Sequence, residues 1–318
     1  MASVIPIVDL EQFNICKEPE DVSDDVQRQL AAQIIDAFST VGFVGLKNYG
    51  IPQEKLAALM TEAKTFFYLP ETTKRKYPYR FENQYDRGGW CHLEQEILNY
   101  SPRLGDLKET FDVVKDEKVW PDDEVPGFRP AASELCRLCF TLSQRVLLLI
   151  GIGLGLEDPS YLKNQHSKDD INHVGTLRCL YYPPIRQDTV IKPGQTRCGE
   201  HSDYGFITLI FQDDAGGLEL RTRDGEFVPA TPMDGVVLVN VGDLMQRWTS
   251  DKLVSTIHRV VVPETRLSEE RLSVAFFTRP NFDYVIKCLD GSDKYEPITS
   301  FEQLTERTLA SGLEVHGQ

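Results

Sequence analysis

Residues 199–211 read GEHSDYGFITLIF. A polar lead, with His201 and Asp203 two apart, runs straight into an apolar segment of strand length. That segment is rich in β-branched and aromatic side chains, the composition of a buried strand. If the chain is already extended as it enters the run, residues i and i+2 point to one face, and His201 and Asp203 can close on one ion. The competing reading is a satisfied histidine and a strand-capping aspartate. The pair alone does not decide between them, because a short motif is only a hypothesis until its context is known.

Context comes from the segments downstream. TLRCLYYP, FITLIFQ, GGLELRT, EFVPA, GVVLVNVG, STIHRVVVP and RLSVAFFT follow one another from Leu177 onward, separated by turn signals such as RDGE. Short strands at this spacing indicate a sandwich or jelly roll. STIHRVVVP places His258 in a β-branched run, available as a third ligand from another strand. Two histidines and a carboxylate on one face of an ion form a facial triad with open coordination positions, the ligand set of non-haem Fe(II) oxygenases. RLSVAFF alternates strictly, so Arg271, Ser273, Ala275 and Phe277 share one face and Leu272, Val274 and Phe276 the other. An arginine in an apolar strand is costly without a buried anionic partner. Its planar fork and the Ser273 hydroxyl suit a small dicarboxylic acid whose far end could chelate the metal. An internal Arg–Glu bridge is the alternative.

Taken together, IPIVDL, GFVGLKNYGIP, LKETFDV, LRCLYYPP, GEHSDYGFITLIFQDDAGGLEL, VNVGDLMQRWTSDKLVSTIHRVVVP and RLSVAFFTRPN resemble the Fe(II)/2-oxoglutarate-dependent dioxygenases of the isopenicillin N synthase-like superfamily. The resemblance covers nearly the whole chain. It implies an α+β fold with a double-stranded β-helix (jelly-roll) core and N-terminal and flanking helices. The chain would then divide into an N-terminal region (1–120), a connecting long helix (121–170), the jelly-roll core (171–285) and a C-terminal segment (286–318). His201, Asp203 and His258 would be the catalytic iron ligands, and Arg271, Ser273 and Tyr182 would bind the 2-oxoglutarate cosubstrate, with O2 as oxidant and ascorbate as reductant. The chain departs from the family pattern at Leu180, where an asparagine is common, and in ETRLSEE, which lengthens the step from His258 to Arg271. The implied reaction couples oxidative decarboxylation of 2-oxoglutarate to hydroxylation, desaturation or cyclisation of a small organic molecule. An oxidase of the isopenicillin N synthase type, which needs no 2-oxoglutarate, and a non-catalytic small-molecule binder stay open.

Upstream, DDVQRQLAAQIIDAFSTVG spaces Val26, Leu30, Ile34 and Phe38 about a helical turn apart, and PQEKLAALMTEAKTFFYLP is a second helix bounded by prolines. AASELCRLCFTLSQRVLLLIGIGLGL reads as a long helix ending in glycines, so its GIGLGL is no dinucleotide loop. Residues 71–130 read as loops. Cys136 and Cys139 share a helix face with no second pair to complete a zinc site, and read as core. His92 and Glu94 read as solvated surface, and Asp243 as the start of a capping box in DLMQ.

The 318-residue chain is 41% hydrophobic and 26% charged, a globular composition, and carries a formal charge of -15. That field disfavours nucleic acid and anionic membranes as partners. The apolar run at 146–156 is short for a bilayer, the N-terminus shows no basic region before an apolar one, and the seven cysteines read as reduced thiols. The expectation is therefore a cytoplasmic protein, monomeric or weakly homo-oligomeric, with a small-molecule substrate. Substrate-wall candidates are Arg87, Trp90, Lys108, Tyr204, Phe206, Phe277 and Arg279. The three cations among them could hold an anionic substrate, but surface exposure is the ordinary state of charged side chains and is the expectation here.

Overall fold

The computed structural model describes residues 5–81, 87–96, 105–113, 120–166, 175–185, 195–262, 266 and 268–310. Two sheets enclose the site. The larger has nine strands, in the order β1-β2-β11-β8-β13-β6-β5-β4-β3. These are Ile7–Asp9 (β1), Phe43–Lys47 (β2), Arg80–Phe81 (β3), Arg87–Cys91 (β4), Glu109–Val113 (β5), Gly175–Tyr182 (β6), Ile207–Gln212 (β8), Val236–Val241 (β11) and Arg271–Thr278 (β13). The smaller has four, in the order β10-β9-β12-β7, built from Cys198–His201 (β7), Leu218–Arg221 (β9), Phe227–Pro229 (β10) and His258–Val260 (β12). A short hairpin, Val285–Ile286 with Ile298–Thr299, precedes a C-terminal helix, Ser300–Ala310.

Alternation along the large sheet builds both of its faces. Leu272, Val274 and Phe276 join Leu177, Cys179, Leu209 and Phe211 in the main core, against helices Asp24–Thr40 (α1), Gln53–Phe67 (α2) and Phe128–Leu154 (α4). The opposite face meets the small sheet across a second cluster that includes Phe43, Tyr182, Cys198, Leu220, Leu238 and Val260. Helix α1 buries Leu30, Ile34 and Phe38 as its spacing predicts, with Asp24 and Asp25 in the first turn where the helix dipole favours them. Helix α4 spans 27 residues and ends at Gly155 in the left-handed conformation, φ 71°. It is long and apolar enough to cross a bilayer, unlike the shorter run at 146–156, but 72% of its most apolar window is buried inside the protein. Cys136 and Cys139 lie in its core-facing surface.

The expectation of loops over 71–130 is corrected. A one-turn helix, Glu71–Lys74 (α3), is followed by β3, β4 and β5, and the last two extend the large sheet beyond β6. The strand signal is masked there because RGGWC holds two glycines and ETFDV carries charges at buried positions. Those charges are tolerable only because partners arrive from elsewhere: Glu109 pairs with Lys74 at 2.6 Å, and Asp112 with Arg178 at 2.6 Å. Within the ETRLSEE insert, residues 264, 265 and 267 lie outside the described residues.

Candidate active site

His201 and His258 are directly opposed residues of the antiparallel β7–β12 pair. Direct opposition brings two side chains within contact range on one face, and the imidazole centroids lie 4.2 Å apart. The expected geometry needs one correction. His201 does not lead into β8; it ends a strand of its own, and Asp203 sits in the link from the small sheet to the large one. Convergence therefore comes from cross-strand pairing and a loop, not from two residues of one extended strand.

Asp203 Oδ1 lies 3.9 Å from His201 Nε2 and 3.8 Å from His258 Nε2. The three ligand atoms all fall within 4.8 Å of one another. His201 Nδ1 donates to the Gly199 carbonyl at 2.8 Å and His258 Nδ1 to the Thr256 carbonyl at 3.0 Å. A carbonyl can only accept, so the proton sits on Nδ1 and each Nε2 presents a lone pair to the space between the rings. Burial pushes His258 below its usual range and His201 beside it adds to this, which keeps the ring neutral as a metal ligand must be. Burial opposes the charge of Asp203, yet its carboxyl is held low, with hydrogen bonds from Thr208 and Asn240 favouring the charged form. Asn240 of β11 donates to Asp203 Oδ2 at 2.7 Å, leaving Oδ1 for an ion. Two neutral imidazoles and one carboxylate fit a divalent cation and leave one net positive charge for an anionic cosubstrate.

The loop is held backbone against backbone. The Asp243 amide donates to the Asp203 carbonyl at 2.7 Å and the Phe206 amide to the Thr278 carbonyl at 2.8 Å. A Cβ on Gly205 would collide with the Thr278 carbonyl, and one on Gly242 with the Gly205 carbonyl. Asp243 is the first residue of a short helix, Asp243–Trp248, whose N-cap is Gly242, and no side chain caps it. The capping-box expectation is thus corrected: the Asp243 carboxylate accepts instead from Ser255 at 2.7 Å and Ser202 at 3.1 Å. His92 is half-buried and Glu94 exposed, at a turn.

The second pole lies on β13 and β6. Arg271 is 1% exposed and opposes Tyr182 in the β13–β6 register, with its guanidinium 4.8 Å from the centre of that ring. It donates to the Ser273 hydroxyl at 2.8 Å, the Gly216 carbonyl at 2.9 Å and the Gln212 side chain at 3.3 Å. None of these acceptors is charged. A buried guanidinium whose partners among the described residues are neutral suits the carboxylate of a ligand. Leu180 opposes Ser273, so the departure from the family's asparagine puts an apolar wall beside this pole. A second buried guanidinium, Arg197, was not singled out from sequence; its Nη2 donates to the Glu269 carbonyl at 2.6 Å, two residues before Arg271.

The substrate-wall candidates separate. Phe277 is half-buried and lies 5.6 Å below the Arg178 guanidinium. Tyr204 packs against Phe282 and Leu304. Trp90 and Phe206 are both core side chains. The Trp90 indole donates to Glu109 at 2.7 Å within the main core, and Phe206 is fully buried and stacked 4.9 Å from Trp248. Surface exposure of the cations is also overturned, for Lys108 and Arg279 are both buried. Arg87 begins β4, but its side chain lies outside the described residues. Lys108 belongs to a buried charged chain that sequence reasoning missed. Asp112 grips Arg178 at 2.6 and 2.8 Å, Arg178 reaches Glu96 at 3.0 Å, Glu96 meets Lys108 at 2.9 Å, and Lys108 meets Asp106. Asp106 then accepts from the Gly199 amide at 2.9 Å, two residues before His201. Burial opposes the charge of Glu96, yet Arg178 and Lys108 hold its carboxyl well below the usual range. Arg178 offered the same signal as Arg271, a lone cation in an apolar strand.

Residues 174–280 match the family model of the 2OG-Fe(II) oxygenase superfamily, and residues 5–131 that of the non-haem dioxygenase in morphine synthesis N-terminal region. A 2-oxoglutarate-Fe(II) type oxidoreductase of Metarhizium rileyi is 32% identical over 302 residues, 86% of this chain and 84% of that one. The chain belongs to the Fe(II)/2-oxoglutarate-dependent dioxygenases. A proline hydroxylase of Petromyces alliaceus is also 32% identical, covering 83% of this dioxygenase and 86% of its own length. A full-length Neurospora crassa protein in complex with alpha-KG superposes with a TM-score of 0.83 at 30% identity over 96% of each chain, and the complex of the same protein with alpha-KG and thymine gives 0.82. The dioxygenase thus uses Fe(II), 2-oxoglutarate and O2 to oxidise a small organic molecule, and the open choice with a cosubstrate-independent oxidase or a mere binder closes in favour of the 2-oxoglutarate enzyme.

Proposed function

We propose that His201, Asp203 and His258 hold the Fe(II), that Arg271 and Ser273, walled by Tyr182, hold the distal carboxylate of 2-oxoglutarate, and that a small ring-bearing molecule is hydroxylated over Phe277. The observation that carries this reading is the opposition of the two histidines in register with a carboxylate 3.8 and 3.9 Å away. When bound, the iron and cosubstrate together supply O2 reduction driven by oxidative decarboxylation of 2-oxoglutarate to succinate and CO2. This chain's residues orient and exclude. Gly199 and Thr256 carbonyls fix the imidazole tautomers, Asn240 aims Asp203, and Arg271 anchors the cosubstrate from the far end. The apolar cluster of Leu220, Leu238 and Val260 keeps the space between the sheets dry.

For the substrate, Phe277 and Tyr204 offer ring faces and Arg178 a guanidinium plane already gripped by carboxylates. The names of the similar proteins, a proline hydroxylase and the Neurospora crassa protein bound to thymine, make proline-containing molecules and thymine the first to screen by succinate release. The formal charge of -15 supports a monomer or weak homo-oligomer that shuns nucleic acid and anionic lipid. Six free cysteines buried against one exposed support a reducing, cytoplasmic setting.

Anaerobic titration of the apo-protein with Fe(II) and then 2-oxoglutarate tests the assignment by visible absorption. A charge-transfer band that needs both additions, vanishes in Asp203→Ala and demands far more 2-oxoglutarate in Arg271→Ala is the expected result. A band that survives in Asp203→Ala removes that residue from the ligand set.

A further inference from the structure

We infer that Arg307, on the C-terminal helix Ser300–Ala310, is a positioning residue for the iron site, clamping the loop that carries Asp203. This rests on the ligand assignment above. The helix belongs to neither sheet and follows the whole barrel in sequence, yet it docks on the metal loop. Leu304 and Phe301 pack with Phe282, whose ring meets Phe301 edge-on at 5.6 Å, and Tyr204 joins the same cluster. From that seat Arg307 Nη2 reaches the Ser202 hydroxyl at 3.2 Å and Asp243 Oδ2 at 3.1 Å. Its guanidinium lies 4.7 Å from the centre of the Tyr204 ring. One side chain therefore engages both chain neighbours of Asp203, together with the carboxylate whose own amide holds the Asp203 carbonyl.

Asn240 aims Asp203 from inside the barrel, and Arg307 restrains its neighbours from outside. A loop held on one side only would let the ligand oxygen wander, and metal sites lose affinity when groups behind the ligands are removed. Arg307 also balances Asp243, a half-buried carboxylate beside the ligand set. Burial pushes that carboxyl up and the guanidinium pulls it back. Arginine suits the role because its planar fork serves Ser202 and Asp243 at once while its face covers an aromatic ring.

The test compares wild type, Arg307→Ala and Arg307→Lys in the full chain. Fe(II) affinity is measured anaerobically against a competing chelator, and amide exchange of the apo-protein is followed over residues 200–206. The expected result is an Fe(II) Kd raised about 10-fold in Arg307→Ala, a smaller rise in Arg307→Lys, and faster exchange confined to 200–206. Wild-type affinity and exchange in Arg307→Ala overturn the clamp. Faster exchange spread over the whole molecule also overturns it, because the residue is then a general brace. An absence of Fe(II) binding in the wild type refutes the ligand assignment itself, and the clamp falls with it. Should Arg307→Ala fail to fold, Arg307→Lys carries the same comparison, with retained affinity and exchange as the overturning outcome.

Discussion

Arg178 on β6, half-buried, and Arg271 on β13, fully buried, carry guanidinia on adjacent strands of one sheet, and the protein treats them in opposite ways. Arg178 is saturated with carboxylates, Asp112 on two arms and Glu96 on a third. Arg271 has a hydroxyl, a carbonyl and a side-chain amide oxygen, all neutral. His166 takes a third route. It is buried against Phe140, with ring centroids 4.8 Å apart, and is discharged: burial pushes it down to about 4, the Arg279 carbonyl opposing and the Arg279 charge adding to the shift. A buried base can be paired, neutralised or left waiting for a ligand, and which of these holds separates scaffold from site.

The largest test of that contrast removes the pairing. Asp112→Ala leaves Arg178 with Glu96 alone, which Lys108 already shares, and should cost about 3–5 kcal/mol in urea unfolding. A loss below about 1 kcal/mol would mean that water reaches the network and that it is not a closed ionic chain.

The next test concerns the neutralised base. Because the folded His166 takes up its proton near 4 and the unfolded chain near 6.5, its contribution is fully present above about 6.5. It is lost as pH falls toward about 4, a drop on the order of 3 kcal/mol. His166→Phe, which keeps the stacking on Phe140, should flatten the stability profile across that window. An unchanged slope from pH 6.5 to 4 would assign the acid sensitivity to other groups.

The smallest effect on folding, and the sharpest for function, is expected at Arg271. Arg271→Met removes charged hydrogen bonds worth about 1.5–3 kcal/mol to a carboxylate, so the 2-oxoglutarate Kd should rise roughly 10- to 100-fold. Stability without ligand should hold or increase, since a buried charge whose hydrogen-bond partners among the described residues are neutral disappears. A fall in Tm with unchanged 2-oxoglutarate affinity would place Arg271 with Arg178 among the structural cations.

These contrasts mark what could be read in advance. Arg271 stood out because alternation in RLSVAFFT put a lone fork on one face of an apolar strand, and β13 has that alternation, with Ser273 beside the arginine. Arg178 in TLRCLYY carried the same signal, but its meaning depends on partners 66 and 82 residues away in sequence. Lys108 and Arg279 looked like surface cations because nothing local reveals that a carboxylate or an enclosing wall will arrive. Burial of Trp90 and Phe206 in the core could not be read locally either, because it depends on segments that pack on them from a distance. β4 and β5 were missed where glycines and paired charges replaced the apolar alternation.

By itself the sequence determined the elements with strong local periodicity, namely α1, α2, α4 and the main barrel strands. It also singled out the candidate metal and cosubstrate residues, because pattern and side-chain chemistry are local properties. Only the tertiary structure decided that His201 and His258 face each other across two strands, that Asp203 arrives on a loop between sheets, and that Arg307 reaches this loop from the far end of the chain. Cross-strand register and burial arise from the packing of distant segments, and a charge is judged by the partners that packing brings to it.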